Sequence, residues 1–342
     1  MQRKALILLL TLLGIVSCTP EETPGGALRI EFKTVAIQTK TDPAPTPEDG
    51  SAISISAGVP DLVILIADSS GDIVATYPSS GRQGVVDGNV EGTATSTSTA
   101  VSFSGLTGNA TYTVYAFANT TGLWTRDNDA ALTSLTTLSA VESLQFAPIA
   151  AEKETDGSLT LLNSRIPLSA KGTVTLTSLG NGEISLPLQR CIAKVTAVFE
   201  NQYGSALTLY DFSNTFNHML PSAGYVIPHE SDYPIAWGSA GNLSASETSI
   251  SLPQDGSTSK EWYVFPSIGP FSCDVSFYTD SPRTDFHSYS NLPVTDDHAR
   301  DIPQLARNQH LTITTRTGKG KQVSFNFEVS AWDTRTETVM FN

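Results

Sequence analysis

Apolar side chains recur at every second position along most of this chain, the spacing of strands with one buried face. In the first such stretch Leu28, Ile30 and Phe32 alternate with Arg29, Glu31 and Lys33, which predicts a strand over 27–37. A Pro/Asp/Gly-rich loop follows at 41–50. Leu62-Val63-Ile64-Leu65-Ile66-Ala67 is apolar on both faces and is expected in the middle of a sheet. Asp68-Ser69-Ser70-Gly71-Asp72 reads as a turn, and Ile73 to Tyr77 as the hairpin partner. Positions 80–100 are rich in Gly, Ser and Thr and read as a long loop. The clearest strand of this half is Thr111 to Asn119. It sets Thr111, Thr113, Tyr115 and Phe117 on one face and Tyr112, Val114, Ala116 and Ala118 on the other.

Helical spacing is found in one stretch, 128–145, and the threonines between Thr133 and Thr137 weaken it. Strands are expected again at 158–168 and 172–178, then at 192–199, 207–212, 261–265, 271–278, 311–315 and 323–329. Many short strands at such spacing predict an all-β protein of two stacked β-sandwiches. Gly180-Asn181-Gly182 marks the break, so the expected domains are 28–185 and 186–342. No internal repeat of fixed period is present.

The first residues follow a different rule. Met1-Gln2-Arg3-Lys4 is a basic start, Ala5 to Val16 is almost wholly apolar, and Ser17-Cys18 follows. The apolar run is short for a membrane span, which needs about 20 residues. It reads as a signal peptide over 1–17 and resembles the bacterial lipoprotein signal, in which the cysteine thiol is lipidated. Cys18 is therefore the expected lipid site and 18–27 a tether. The plainer alternative is a signal peptide with a chance cysteine.

The net charge of −14 becomes −16 once Arg3 and Lys4 leave with the signal, since 1–17 holds no acid. No basic stripe exists to neutralise phosphates, so nucleic acid is not an expected partner. Charged residues are 16% of the chain and Met only 3 residues, a balance that fits an extracellular β-protein better than a helical enzyme. Besides Cys18 there are Cys191 and Cys273. Alternation groups Cys191 with Ala193, Val195, Ala197 and Phe199, and Cys273 with Phe271, Val275 and Phe277. Both are expected to point into apolar layers as buried thiols, although an exported compartment also permits a disulfide.

Catalytic patterns are sparse. The histidines (His218, His229, His287, His298, His310) lack the spacing of two ligands on one helical turn. No serine sits in a Gly-x-Ser-x-Gly elbow, and Gly105-Leu106-Thr107-Gly108 is too short for a phosphate loop. Asp68, Asp72 and Asp87, and Asp296, Asp297 and Asp301, read as turn carboxylates or calcium ligands; no ligand ladder favours the latter. Trp124, Trp237, Trp262 and Trp332 read as core residues or as a sugar platform. No catalytic, metal or cofactor site is expected, nor an enzyme.

Several segments resemble the fimbrillins, lipoprotein-derived pilins of anaerobic Gram-negative bacteria. They are the Leu62–Ile73 strand-turn-strand, Tyr112-Thr113-Val114-Tyr115-Ala116-Phe117-Ala118-Asn119, and Leu188-Gln189-Arg190-Cys191-Ile192-Ala193-Lys194-Val195. Trp262-Tyr263-Val264-Phe265-Pro266, Arg307-Asn308-Gln309-His310-Leu311 and Val329-Ser330-Ala331-Trp332 complete the set. Leu311 stands where the family has an aromatic. The resemblance implies two tandem transthyretin-like β-sandwich domains, a lipid anchor in the outer membrane through Cys18, and assembly with other pilin subunits. It implies cleavage after a basic residue, loss of the first strand and insertion of a neighbour's strand in its place. Leu28 to Val35 is the candidate removable strand, and Arg29, Lys33 and Lys40 are the candidate cleavage sites; a permanent strand with solvated charges is the alternative. Only Asp333 to Asn342 follow Trp332, one strand at most, which fits a tip subunit or a lipid-retained anchor and leans toward a tip or accessory subunit; host or bacterial surface ligands are further expected partners. A surface glycan-binding lipoprotein is the alternative function.

Overall fold

The computed structural model describes residues 26–34, 62–77, 93–94, 100–118, 132, 134–146, 158–159, 167–227, 239–295, 299–318 and 323–331. These are almost entirely strands, so the fold is all-β. The first nine are β1 (Ala27–Thr34), β2 (Leu62–Ala67), β3 (Ile73–Tyr77), β4 (Thr93–Ala94), β5 (Ala100–Ser104), β6 (Thr111–Ala118), β7 (Gln145–Phe146), β8 (Leu168–Thr175) and β9 (Gly182–Arg190). Eight of them form one sheet in the order β3-β2-β6-β8-β9-β1-β5-β4. β8 and β9 are joined only at Leu168↔Arg190 and Ser169↔Gln189. The sheet folds there into two leaves, which enclose a core that includes Leu28, Ile30, Ile64, Ile66, Phe103, Val114, Leu186 and Leu188.

β2 pairs on both sides, with β3 and β6, as a strand apolar on both faces should. The hairpin turn is closed by Asp68, whose Oδ1 accepts from the backbone N–H of Ser70 (2.8 Å) and Asp72 (3.1 Å). Gly71 sits at φ +86°, a conformation that disfavours a side chain. β6 serves two cores: Tyr112, Val114, Ala116 and Ala118 face the enclosed core, and Tyr115 and Phe117 face a second apolar layer. In that layer lie the short helix α1 (Leu138–Glu142), through Val141, and residues from the other half of the chain, Val226, Ile227 and Phe265. Thr137 caps α1, its Oγ1 accepting from Ala140 N–H at 3.3 Å. Of the described residues in the 128–145 stretch, Leu132 and Leu138–Glu142 are helical and 134–137 are not.

The other strands are β10 (Ala193–Asn201), β11 (Leu207–Leu220), β12 (Gly224–Tyr225), β13 (Gly241–Leu252), β14 (Ser257–Val264), β15 (Ser267–Ile268), β16 (Ser272–Tyr278), β17 (Phe286–Pro293), β18 (Gln304–Leu305), β19 (Gln309–Thr317) and β20 (Val323–Ala331). Two four-stranded sheets, β14-β10-β19-β20 and β13-β11-β16-β17, enclose a third core. Within it Phe199 packs edge-on against Phe212 at 4.5 Å and Phe216 against Trp262 at 5.8 Å.

Three expectations change. The break expected at 185/186 falls inside β9, whose Leu186 and Leu188 belong to the first core; the chain turns toward the third core at Cys191-Ile192. Cys191 therefore does not share a face with Ala193, Val195, Ala197 and Phe199: it lies in the middle layer and they lie in the third core, because β10 starts only after that bend. Of the strands longer than two residues, β5, β9, β13 and β17 have no counterpart among the sequence-predicted strands. β13 and β17 are edge strands, largely solvated, so they carry little apolar alternation.

A candidate strand-release groove

β1 is the strand that the sequence marks as the candidate removable one. It runs parallel to β9, from Leu28↔Gly182 to Thr34↔Leu188, and antiparallel to β5, from Ala27↔Ser104 to Glu31↔Ala100. Its backbone is thus paired along both edges. Leu28 and Ile30 are fully buried, each worth about 1.5–3 kcal/mol of transfer free energy. Leu28 lies between Phe103 and Gly182 in the register, and Ile30 between Val101 and Ile184. Just before the strand, a Cβ at Gly26 would fall 2.1 Å from the carbonyl carbon of Gly180, so only glycine permits this close approach.

Among the described residues β5 is bonded only to β1 and to the two residues of β4. Withdrawal of β1 would therefore leave one edge of β9 unpaired and cut β5 and β4 from the sheet. A slot bounded by Phe103, Val101, Ile184 and Leu186 would remain, with pockets at alternate positions. That is a geometry a strand of alternating apolar residues fills.

Arg29 lies inside the paired part of β1, opposite Ser102 and Glu183. Its guanidinium points to solvent and pairs with Glu31 Oε1 at 2.9 Å, with Glu183 Oε1 at 3.7 Å. Lys33 is also within β1, paired with Pro187. Lys40 and Cys18 lie outside the described residues, as do Asp87, Asp296, Asp297, His229, His298, Trp124, Trp237, Trp332 and the segment after residue 331.

The remaining candidates are structural. Trp262 is in the core, not on a platform. Asp68 and Asp72 belong to the hairpin turn, and Asp301 pairs with Thr295 in an isolated bridge. His310 bonds Thr196 Oγ1 at 2.8 Å, and His287 stacks on Phe277 at 5.4 Å. Among the described residues no group of three His, Cys, Asp or Glu could hold a metal ion. Cys191 and Cys273 are both buried thiols, not joined in a disulfide. Burial, followed by the Asp274 charge, pushes the Cys273 thiol up to about 12. The Tyr115 hydroxyl is also raised, first by burial and then by Glu142, to which it donates at 3.0 Å.

Two of the motifs converge where the halves of the chain meet. Arg190 and Arg307 are buried there. Arg190 Nη1 donates to Asn308 Oδ1 (3.1 Å), and Asn308 N–H donates to the carbonyl of Ile192 (3.0 Å). Arg307 Nη2 donates to the carbonyls of Ile227 (2.7 Å) and Tyr225 (3.2 Å), while Nη1 reaches Ser169 Oγ at 3.4 Å. Ser169 Oγ and Cys191 Sγ both donate to the carbonyl of Val226, at 2.5 and 3.1 Å. Side-chain donors thus satisfy three successive carbonyls, from the end of β12 into the irregular residues after it, inside the protein, where water would otherwise be needed. Sequence reading missed Ser169 and the carbonyls of 225–227, because no local pattern identifies them.

No protein-family model matches the sequence, and no curated protein does. Solved structures match in fold. A candidate cell adhesion protein from Bacteroides eggerthii aligns over 90% of this chain and 96% of its own, with TM-score 0.54 and 13% identity. The tip fimbrial protein Mfa3 from Porphyromonas gingivalis, truncated at its C-terminus, aligns over 90% and 100%, with TM-score 0.51 and 13% identity. A candidate cell adhesion protein from Parabacteroides distasonis aligns over 91% and 98%, with TM-score 0.53 and 11% identity. At such identities the likeness establishes the fold: an all-β, fimbrillin-like architecture, in keeping with the motifs.

Proposed function

We propose that this chain is a non-enzymatic cell-surface fimbrial subunit or adhesin, built as two transthyretin-like sandwiches that divide near Cys191. It joins other pilin subunits by β-strand addition once β1 has been released. The observation that carries this reading is β1 itself: the first of the described strands, apolar on its inner side at Leu28 and Ile30, and, among the described residues, the link between β9 and the β5–β4 pair. A lipid on Cys18 would hold the unprocessed chain to the outer membrane.

The pairing of β1 supports Lys40 over Arg29 and Lys33 as the cleavage site. A protease binds its substrate as an extended strand, so the Arg29 and Lys33 bonds become accessible only after β1 leaves the sheet. Lys40 follows the last residue of β1, Thr34, by six positions, and a cut there removes the whole strand with the N-terminal fragment. Limited trypsin digestion of residues 19–342, read by intact mass and electron microscopy, tests this. The expected result is a cut after Lys40, release of the peptide bearing β1, and then oligomers or, for a tip subunit, polymer growth only with a partner pilin. A chain that keeps 27–45 intact while loops elsewhere are cut would overturn strand release.

A further inference from the structure

We infer that the end of the third core farthest from the arginine junction carries a binding site for a neutral oligosaccharide, made of the pocket beside Tyr210 and the aromatic row Tyr210, Tyr278, Phe286. It deepens the adhesive reading above and rests on it for its setting.

The position follows from topology. β10 and β19 run parallel from the junction, where Ile192 is bonded to Asn308, and end at Asn201 and Thr317. Eight residue steps of about 3.3 Å put those ends roughly 26 Å away. A pocket of about 270 Å³ opens there, lined among others by Tyr203, Thr208, Tyr210, Thr279, Ser281 and Thr317, with Phe277 on its core side. Among the described residues its lining includes no charged side chain. Aromatic faces with several hydroxyls and no net charge match a sugar ring, which offers C–H faces for stacking and hydroxyls for hydrogen bonds.

The row extends the pocket over the sheet surface. Tyr210 pairs with Tyr278 across β11 and β16, and Tyr278 with Phe286 across β16 and β17, so the three share one face. Leu209 and Phe277, their chain neighbours, point into the core, which puts this face outward. The register shift beyond Tyr210 coincides with Asp211 at φ +45°, a bulge that turns the strand end. Tyr278 and Phe286 lie 4.9 Å apart, and Phe286 is 55% exposed, a large apolar surface left in water on an edge strand. The Arg283 guanidinium lies 5.8 Å from the Tyr210 ring and is neutralised by Asp211 at 2.5 Å. With a chain of net charge −14, this arrangement disfavours anionic sugars. Two strand spacings make the row about 10 Å long, enough to meet consecutive sugar rings.

Isothermal titration calorimetry of residues 19–342 against neutral gluco-, manno-, galacto- and N-acetylhexosamine oligosaccharides tests the site. At least one is expected to bind, and Tyr210→Ala and Phe286→Ser are each expected to weaken it by about tenfold. Phe286 is outside the core, so Phe286→Ser keeps the thermal midpoint of the parent and separates binding from folding. Failure of every neutral oligosaccharide to bind, binding of acidic ones only, or affinity within about twofold of the parent in both variants overturns the proposal. None of these outcomes depends on fibre formation, so loss of this site and loss of the strand-release reading are read separately.

Discussion

Arg190 and Asn308 are 118 positions apart in sequence and are joined by a 3.1 Å hydrogen bond from Nη1 to Oδ1 at the junction of the two halves. Arg190 ends β9, and Asn308 stands just before β19, so the bond fixes how the first sheet is handed on to the second. A hydrogen bond to a charged, buried group is worth about 1.5–3 kcal/mol. A double-mutant cycle with Arg190→Ala and Asn308→Ala should give a coupling energy in that range by urea denaturation. Additive effects would mean that the pair is incidental.

Arg307 should cost more to remove. Its truncation to Ala leaves the carbonyls of Tyr225 and Ile227 without these donors inside the protein, and a loss of about 3 kcal/mol is expected in the same assay. Lys at this position should recover less than half, because one ammonium cannot reproduce the planar fork that reaches both carbonyls and Ser169.

β1 supplies a contrast between its two faces. Ile30→Ala removes a fully buried side chain and should destabilise by about 2–5 kcal/mol. Glu31→Ala breaks an ion pair that faces solvent and should change stability by less than about 1 kcal/mol. Equal effects would show that β1 contributes no core packing, and thermal melts of the two variants decide it.

Cys273 gives the protein a pH dependence at the alkaline end. Its pKa rises from an ordinary 9.0 to about 12 on folding, chiefly through burial. The folded state therefore binds more protons than the unfolded state in that window. Its contribution is complete below pH 9 and is lost as pH rises toward 12. Cys273→Ala should lower stability modestly at pH 7 and give a flatter stability curve above pH 9 than the parent. Tyr115, raised in the same direction, leaves a residual slope in both proteins.

Much of this fold is written in local pattern. Alternation assigned both faces of β6, the buried face of β1 and the inward side of Cys273, because period two states which side chains leave water, whatever the strand's neighbours are. Turn residues placed the β2–β3 hairpin, since Asp68 and Gly71 solve a local backbone problem. Partner choice was not written there. That β1 lies between β9 and β5 depends on backbone hydrogen bonds that every residue offers alike, and on a partner as far along the chain as Gly182 is from Leu28, 154 positions. Only the folded chain decided it. The same holds for Cys191, which a two-residue bend carries into a different layer from the strand that follows. It holds also for β13 and β17, which exist because a neighbouring strand pairs with them while their own side chains stay largely in water. Alternation encodes burial, which is local; pairing, register and the meeting of Arg190 with Asn308 are consequences of three-dimensional closure.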